Sequence, residues 1–592
     1  MSKLLPHAKP YIPYILVMLL LTLGQTWSSL ELPDYMARIV DRGIIGQDTH
    51  LVYRTGVEML LIALFGGACM AGVGFLAARV ASGFTWRLRQ DLFTTIEDFS
   101  LFEFNQFSTA SLITRNTNDM QQIQLVLGMS LRMSLMAPFL GIGAIIKAYG
   151  LAPSMTWIMA VAIGILVAII ATIFTIAIPR FTKLQRLVDR LNLVSRETLV
   201  GLRVIRAYHR EQREQEKFEA ANADLTRMNL FVNRLTALMQ PAMLLILNFT
   251  SIAIIWVGAH RVNAGSLQIG DMIAFMQYAS QAIFAFIMIS FIFVMVPRAA
   301  VSAKRVAEVL ATEPTIHEPE QPVQTKRLGG TVEFRNVTFA YPGAEAAVLD
   351  DISFVARSGQ TTAIVGSTGS GKSTLVNLIP RFYDVTDGAV VVDGVDVRDY
   401  RQAELRAKIG YVSQKAILFS GTIASNIAYG APEAAEEIIR QAAQTAQAAE
   451  FIDRMELTYA SAIAQGGSNV SGGQKQRLAI ARALARRPEI YIFDDSFSAL
   501  DFKTDAMLRA ALQHETADKT VLIVAQRIGT IMHADNIIVL DEGQIVGHGQ
   551  HETLLRTCAV YREIASSQLS DEELALVDAA LERDAAAAGG GE

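Results

Sequence analysis

The stretch AIVGSTGSGKST, residues 363–374, decides the fold of the C-terminal half. An apolar run, TTAIVG, leads into it and a helix-forming run leaves it, the context in which Gly-x-x-x-x-Gly-Lys-Ser becomes a phosphate cradle. Gly366, Gly369 and Gly371 let the backbone turn tightly enough for its N–H groups to point at phosphate, with Ser367, Thr368 and Ser370 completing the loop. The helix that follows adds a field favouring negative charge. Lys372 is placed to reach the β- and γ-phosphates, and the Ser373 hydroxyl, next to Thr374, to ligate Mg2+. The pattern in this context implies binding of ATP or GTP. Further on, EIYIFDD sets four apolar strand residues before Asp494, the expected magnesium-coordinating carboxylate. Apolar strands at TTAIVG, EIYIFDD, TVLIVA and NIIVL alternate with helical runs, which predicts an α/β nucleotide-binding fold.

The rest of the chain is of a different kind. At 592 residues, 51% hydrophobic and only 18% charged, the protein is too apolar for a soluble multidomain enzyme. Six runs, at about 11–30, 57–78, 128–150, 155–178, 241–260 and 272–296, are each near the roughly 20 residues a bilayer-spanning helix needs. The third is the least uniform, since it holds Arg132, Pro138 and Lys147. The first lacks a small-residue cleavage site after it and reads as a retained helix rather than a signal peptide. Lys3 and Lys9 precede it, and the connection from Arg180 through Arg234 is dense in Arg and Lys. The positive-inside rule puts both, and with an even number of spans the C-terminal half, in the cytosol. The two internal connections, about 79–127 and 179–240, carry helix-forming runs such as REQREQEKFEAANADLTRM and predict membrane helices continuing into the cytosol. A net charge of -5 argues against nucleic acid as a partner. Cys69 and Cys558, the two cysteines, imply no disulfide framework.

After Pro297 a short amphipathic helix, RAAVSAKRVAEVL, gives way to the linker EPTIHEPEQPVQ, and a domain boundary is expected near residue 328. The expected architecture is therefore multidomain: an all-α six-helix transmembrane domain over 1–328, then an α/β P-loop ATP-binding domain over 329–568. Residues 569–592, ending DAAAAGGGE, are expected to form a flexible tail without function.

Between the phosphate loop and Asp494 lies NVSGGQKQRLAIARALARRPE, which resembles the signature of the ATP-binding cassette (ABC) family. With it a whole set falls in family order. Tyr341 in FAYPG matches the adenine-stacking position, and Gln414 in YVSQKAILFSGTI a glutamine that attends the metal. Ser471, Gly472, Gly473 and Gln474 match the SGGQ signature, and Asp501 closes SALD. The match covers essentially the full chain. The resemblance implies two nucleotide-binding domains stacked head to tail, each nucleotide held between the phosphate loop of one chain and the SGGQ of the other. Ser471 and Gly473, at the start of a helix, would then serve the partner's ATP.

Two positions depart from the family pattern. Asp495 stands where such cassettes carry a glutamate that polarises the attacking water, and Gln526, in VLIVAQRIGT, where they carry a histidine that senses the γ-phosphate. Aspartate withdraws the carboxylate by roughly 1.5 Å, and misplacements of about 1 Å can cost on the order of a hundredfold in rate. Glutamine still hydrogen-bonds but cannot become cationic or act as a general acid or base. With the SGGQ intact, the chain resembles the degenerate-site subunit of heterodimeric bacterial multidrug exporters. That implies a second half-transporter carrying the working Glu and His, and a multi-pass location in the bacterial inner membrane. The segments LITRNTNDM and LVGLRVIRAYHREQREQEKF look like the family's intracellular connections, with coupling helices expected near Glu103–Phe107 and Arg206–Arg210.

Signals for the cargo are thinner. Trp27, Trp157, Trp256 and the Phe- and Met-rich sixth span suit either an adaptable hydrophobic cavity or a lipid-facing surface. Glu31 and Asp34, near the outer end of the first span, suit cation binding, an exit gate or a solvated interface. The leading expectation is an ATP-driven exporter of small hydrophobic or amphipathic compounds, in contact with membrane lipid. The alternatives are a lipid, peptide or siderophore transporter of the same fold, or an ATP-gated channel or regulatory ATP sensor.

Overall fold

A computed structural model describes residues 5–323 and 329–568. The described residues form two compact units, one comprising those up to Glu97 with Ser108–Thr312, the other Asp98–Phe107 with those from Glu313 onward. The first is helical. Among its described residues six helices are long and apolar enough to cross a membrane: Pro6–Ile44, Thr49–Glu97, Thr109–Leu151, Pro153–Val200, Glu211–Asn263 and Ile269–Ala311. Each contains one of the six runs read from sequence. The second helix has 49 residues, so it is about 73 Å long against a hydrocarbon core of about 30 Å. Such helices continue beyond the spans into the polar connections, as the helix-forming runs there predicted.

The third span stays helical through Pro138, and its Lys147 lies between two carboxylates of the first span, 2.8 Å from Glu31 and 2.7 Å from Asp34. The Tyr278 hydroxyl of the sixth span sits 2.6 Å from the same Asp34 and 2.7 Å from the Leu30 carbonyl. The two acidic residues are thus compensated within the chain, as an ionisable group inside a bundle must be. Around them Ala144, Ala148, Ala274, Ala279 and Ala282 are buried, small side chains that let neighbouring backbones approach closely. Trp27, Trp157 and Trp256 are all more than half exposed on this chain.

The second unit is built on strands β1 (Val332–Phe339), β2 (Leu349–Ala356), β3 (Thr361–Gly366), β4 (Asp387–Val392), β5 (Val395–Asp396), β6 (Ile409–Val412), β7 (Gly421–Thr422), β8 (Ala462–Ile463), β9 (Ile490–Asp494), β10 (Thr520–Val524), β11 (Asn536–Asp541) and β12 (Gln544–Gly549). One sheet has the order β2-β1-β4-β5, and the larger one β12-β11-β3-β10-β9-β6. In the larger sheet all neighbours are parallel except β11 and β12. Every residue of β9 and β10 is buried, which is why these strands read as unbroken apolar runs rather than alternating ones. The four strands foreseen from sequence are its centre, β3, β9, β10 and β11.

Two segments attach to this unit from outside the cassette proper. The linker does so through Val323 N–H, 3.0 Å from the Asp399 carbonyl, and through the Glu318 carboxylate, which accepts from Gln402 N–H. The two units part between Thr312 and Glu313, while residues 324–328, where the boundary was expected, and the tail 569–592 lie outside the described residues. The second segment is the helix Leu101–Phe107, one of the two expected coupling helices. Its buried Glu103 accepts from the N–H groups of Ser100, at 2.8 Å, and Thr315, at 3.2 Å. The other expected position, on helix Leu202–Ala207, belongs to the membrane unit and leaves Val204 and Tyr208 exposed.

Candidate nucleotide site

The C-terminal ends of β3, β9 and β10 lie side by side, the place where open parallel sheets bind ligands. From β3 the chain enters the phosphate loop. Gly369 and Gly371 have φ of +87° and +97°, a left-handed conformation that glycine adopts without steric cost. A Cβ on Gly369 would meet nothing within 4 Å, and one on Gly366 would come within 2.0 Å of the Leu540 carbonyl oxygen of β11. The loop is thus pinned to the sheet at one end and open at the other. Lys372 donates to the carbonyls of Gly366, at 3.0 Å, and Ser367, at 2.6 Å, and to the Ser370 hydroxyl at 3.3 Å. Burial pushes its ammonium pKa down, against the opposing pull of Asp495 and Asp494.

Ser373 Oγ donates to Asp494 Oδ1 at 2.9 Å. Burial pushes the Asp494 carboxyl above the usual range, against the hydrogen bond from Ser373, which lowers it. A hydroxyl and a carboxylate in contact are hard oxygen donors suited to Mg2+, and an open anion cradle stands next to them, so the residues fit a magnesium nucleotide. Tyr341 lies beside the loop, its hydroxyl 2.9 Å from Thr374 Oγ1 and its ring edge-on to Tyr383 at 5.3 Å. Burial pushes the Tyr383 hydroxyl pKa up, against a smaller opposing influence of Asn105, on the helix Leu101–Phe107, which lies near it. Tyr383 thus stands between that helix and the loop, a neighbourhood of distant parts of the chain that no sequence signal announced.

The two departures from the family pattern meet. Asp495 follows β9 with φ of +46°, unusual for a non-glycine residue, and its N–H is held by the Val524 carbonyl at 2.9 Å. Its Oδ2 accepts from Gln526 Nε2 and from Gln414 Nε2, each at 3.0 Å. Gln414, expected near the metal, thus turns its amide nitrogen to Asp495. Gln526 is itself braced, since Gln568 donates to its carbonyl at 2.8 Å and accepts from Ile528 N–H at 2.9 Å. Gln568 lies 42 positions away from Gln526 and gave no signal in the sequence.

The signature stands on its own element. Ser471 caps the helix Gly472–Ala485 in a reciprocal capping box: Gln474 N–H donates to Ser471 Oγ and Ser471 N–H to Gln474 Oε1. A Cβ on Gly472 would meet nothing within 4 Å. The result is an exposed helix N-terminus with room for an anion to approach its N–H groups. Asp501 caps the next helix, Phe502–Glu515, through the N–H and hydroxyl of Thr504, hydrogen bonds that hold its carboxyl below the usual range.

One consequence can be measured directly. Asp494 would hold Mg2+ only when ionised, so binding a magnesium nucleotide would expel any proton that the raised carboxyl carries. Affinity for Mg·ATP is expected to fall as the pH drops through a window just above the ordinary carboxylate range, and Asp494→Asn to flatten that slope. Calorimetric titration across the acidic range checks it.

Known proteins resemble this chain along most of its length. A family model described as ABC transporter transmembrane region matches residues 15–286, and one described as ABC transporter matches residues 349–498. An uncharacterized ABC transporter ATP-binding protein of Mycobacterium tuberculosis is 43% identical over 572 residues, 96% of this chain and 98% of the relative. An ATP-dependent lipid A-core flippase of Pseudomonas aeruginosa is 34% identical, covering 89% of this chain and 87% of its own. The solved structure of a bacterial Atm1-family ABC exporter with ATP bound superposes with a TM-score of 0.79 at 26% identity, covering 95% of this chain and 99% of that one.

Proposed function

Because this chain belongs to the ABC transporters, as an exporter-type half-transporter with a membrane region and one ATP-binding cassette, we propose that it is the weakly hydrolytic member of a heterodimeric exporter. One observation carries this reading: a single carboxylate oxygen of Asp495 takes hydrogen bonds from Gln414 and Gln526. In the family's arrangement this position faces the attacking water. Here the oxygen is occupied by two neutral amides, and neither amide accepts a proton at neutral pH. Gly366–Gly371 and Lys372 bind the phosphates, and Ser373 with Asp494 holds Mg2+. Bound ATP supplies a phosphoryl group whose transfer to water requires a positioned nucleophile and compensated charge. This site meets the second requirement better than the first.

The Ser471–Gln474 cap is built without such a defect. In a head-to-tail pair it serves the partner's nucleotide, so this chain lends a working half-site while holding its own nucleotide as a clamp. Exposed Val204 and Tyr208 on the second coupling segment are available to that partner. The N-terminus and the cassette lie in the cytosol by the distribution of Arg and Lys, and the cargo is hydrophobic or amphipathic. ATP-dependent closure of the cassettes favours one facing of the membrane helices, and hydrolysis at the partner's site resets it.

A second reading, lipid translocation, is favoured by relatives at 33% and 34% identity whose names state that they are lipid A-core flippases. Vesicles containing the copurified pair test the proposal. ATP-driven uphill movement of an amphipathic dye is expected for the broad exporter. Movement of a labelled lipid without the dye moves the assignment to the second reading, and equilibration down a gradient only would overturn both.

A further inference from the structure

The membrane unit carries an open apolar cavity of about 500 Å3 among the helices of its first, second, third and sixth spans, at the ends that the distribution of Arg and Lys puts toward the cytosol. The volume lies inside the about 300–1,000 Å3 typical of small-molecule sites. Tyr11, Phe84, Ile123, Leu131, Ala300 and Ala303 are among the residues that wall it. Val80 and Phe84 on the second span are buried, at 3% and 8% exposure. The alanines of the sixth span leave the space that larger side chains would fill.

The rim carries charge. On the second span Arg79, Gly83 and Arg87 recur every four residues and so form one stripe, beside the Val80 and Phe84 stripe that walls the cavity. The Arg87 guanidinium lies 5.5 Å from the centre of the Tyr11 ring and that of Arg79 5.5 Å from the Tyr14 ring. The two tyrosine rings are 6.4 Å apart. A Cβ on Gly83 would stand 2.5 Å from Tyr11 Oη; the glycine thus admits the tyrosine that is both cavity wall and platform for the cation. Among the described residues neither arginine pairs with a carboxylate. Tyrosine and arginine at the end of a membrane span mark the headgroup level.

We propose that this cavity holds one acyl chain of an anionic phospholipid of the cytosolic leaflet, with its phosphate paired to Arg79 and Arg87. An apolar slot opening among membrane helices selects hydrocarbon over a polar solute, and two exposed guanidinium groups without carboxylate partners select an anionic headgroup over a zwitterionic one. The inference uses the membrane orientation argued above but not the export activity. Its test reads lipid binding alone, so a chain that transports nothing would leave it standing.

The full-length chain in nanodiscs, with phosphatidylglycerol or phosphatidylcholine bearing a diazirine at the acyl terminus, is irradiated and its labelled peptides mapped by mass spectrometry. Phosphatidylglycerol is expected to label the peptides containing Phe84 and Ala300 about tenfold more than phosphatidylcholine does. Ala300→Phe with Ala303→Phe, which fills the cavity, should remove that labelling. Arg79→Gln with Arg87→Gln should bring phosphatidylglycerol down to the phosphatidylcholine level and needs no repacking, so it decides the matter if the filled variant fails to fold. Equal labelling by the two lipids in the unaltered chain, or undiminished phosphatidylglycerol labelling in the arginine variant, would overturn the proposal.

Discussion

Ser471→Ala in this chain is expected to lower steady-state ATP hydrolysis by the copurified pair about a hundredfold, the usual effect of removing one donor to a transition-state oxyanion. Asp495→Asn in the same chain is expected to change it less than about threefold. The contrast follows from where each residue works. In the proposed pair Ser471 opens an exposed helix N-terminus that serves the partner's nucleotide, whereas Asp495 serves this chain's own. Asparagine at 495 keeps an oxygen that can accept from Gln414 and Gln526, so the local hydrogen bonds survive while the charge is lost. Lys372→Ala should fall between them, because on the proposed reading it weakens a nucleotide that holds the pair together without being consumed each cycle. Ser471→Thr keeps the hydroxyl and the capping box, and separates loss of the phosphate contact from fraying of the helix, which by itself costs about 1 kcal/mol. Equal damage from Ser471→Ala and Asp495→Asn would remove the asymmetry on which the account rests.

The second large effect is a gain. Asp495→Glu combined with Gln526→His should raise ATP turnover by the purified chain alone on the order of a hundredfold, by restoring the reach of the carboxylate and a side chain able to carry positive charge. Each change alone should give far less than half of the gain in logarithmic terms. Gln526 and Gln414 both bind the same Asp495 oxygen, and residues that share a partner do not contribute additively. If the double variant turned over no faster than the unaltered chain in a phosphate-release assay, carboxylate reach and the switch side chain would not be what limits this site.

Legibility divided by range along the chain. The phosphate loop, the strand ending at Asp494 and the Ser471 cap are each written within a dozen or so neighbouring residues, and the structure places them at strand ends and helix N-termini as their local chemistry requires. Membrane helices are equally local, since length and apolarity define them, and even Pro138 did not break the third. Contacts between distant positions were not legible. The sequence showed Lys147 as an irregularity in one span and Glu31 and Asp34 as two acids in another, with nothing to say that they neutralise one another across 116 and 113 positions. It showed Asp495 and Gln526 as two departures that the family resemblance puts at one site, but not that Gln526 and Gln414 bind the same Asp495 oxygen. It gave no sign of Gln568 behind Gln526, or of Tyr383 between Asn105 and Tyr341, because neither residue type is distinctive and each acts only through a fold-dependent neighbour.

The fate of the nucleotide on this chain's own phosphate loop tests the central claim most directly. The copurified pair, turning over a photoreactive ATP analogue that carries separate labels on its base and γ-phosphate, is irradiated during steady-state hydrolysis and its two chains are separated. Both labels should remain together on this chain, as unhydrolysed triphosphate, while the partner retains the base label and loses the γ-label. Loss of the γ-label from both chains to the same extent would contradict the account.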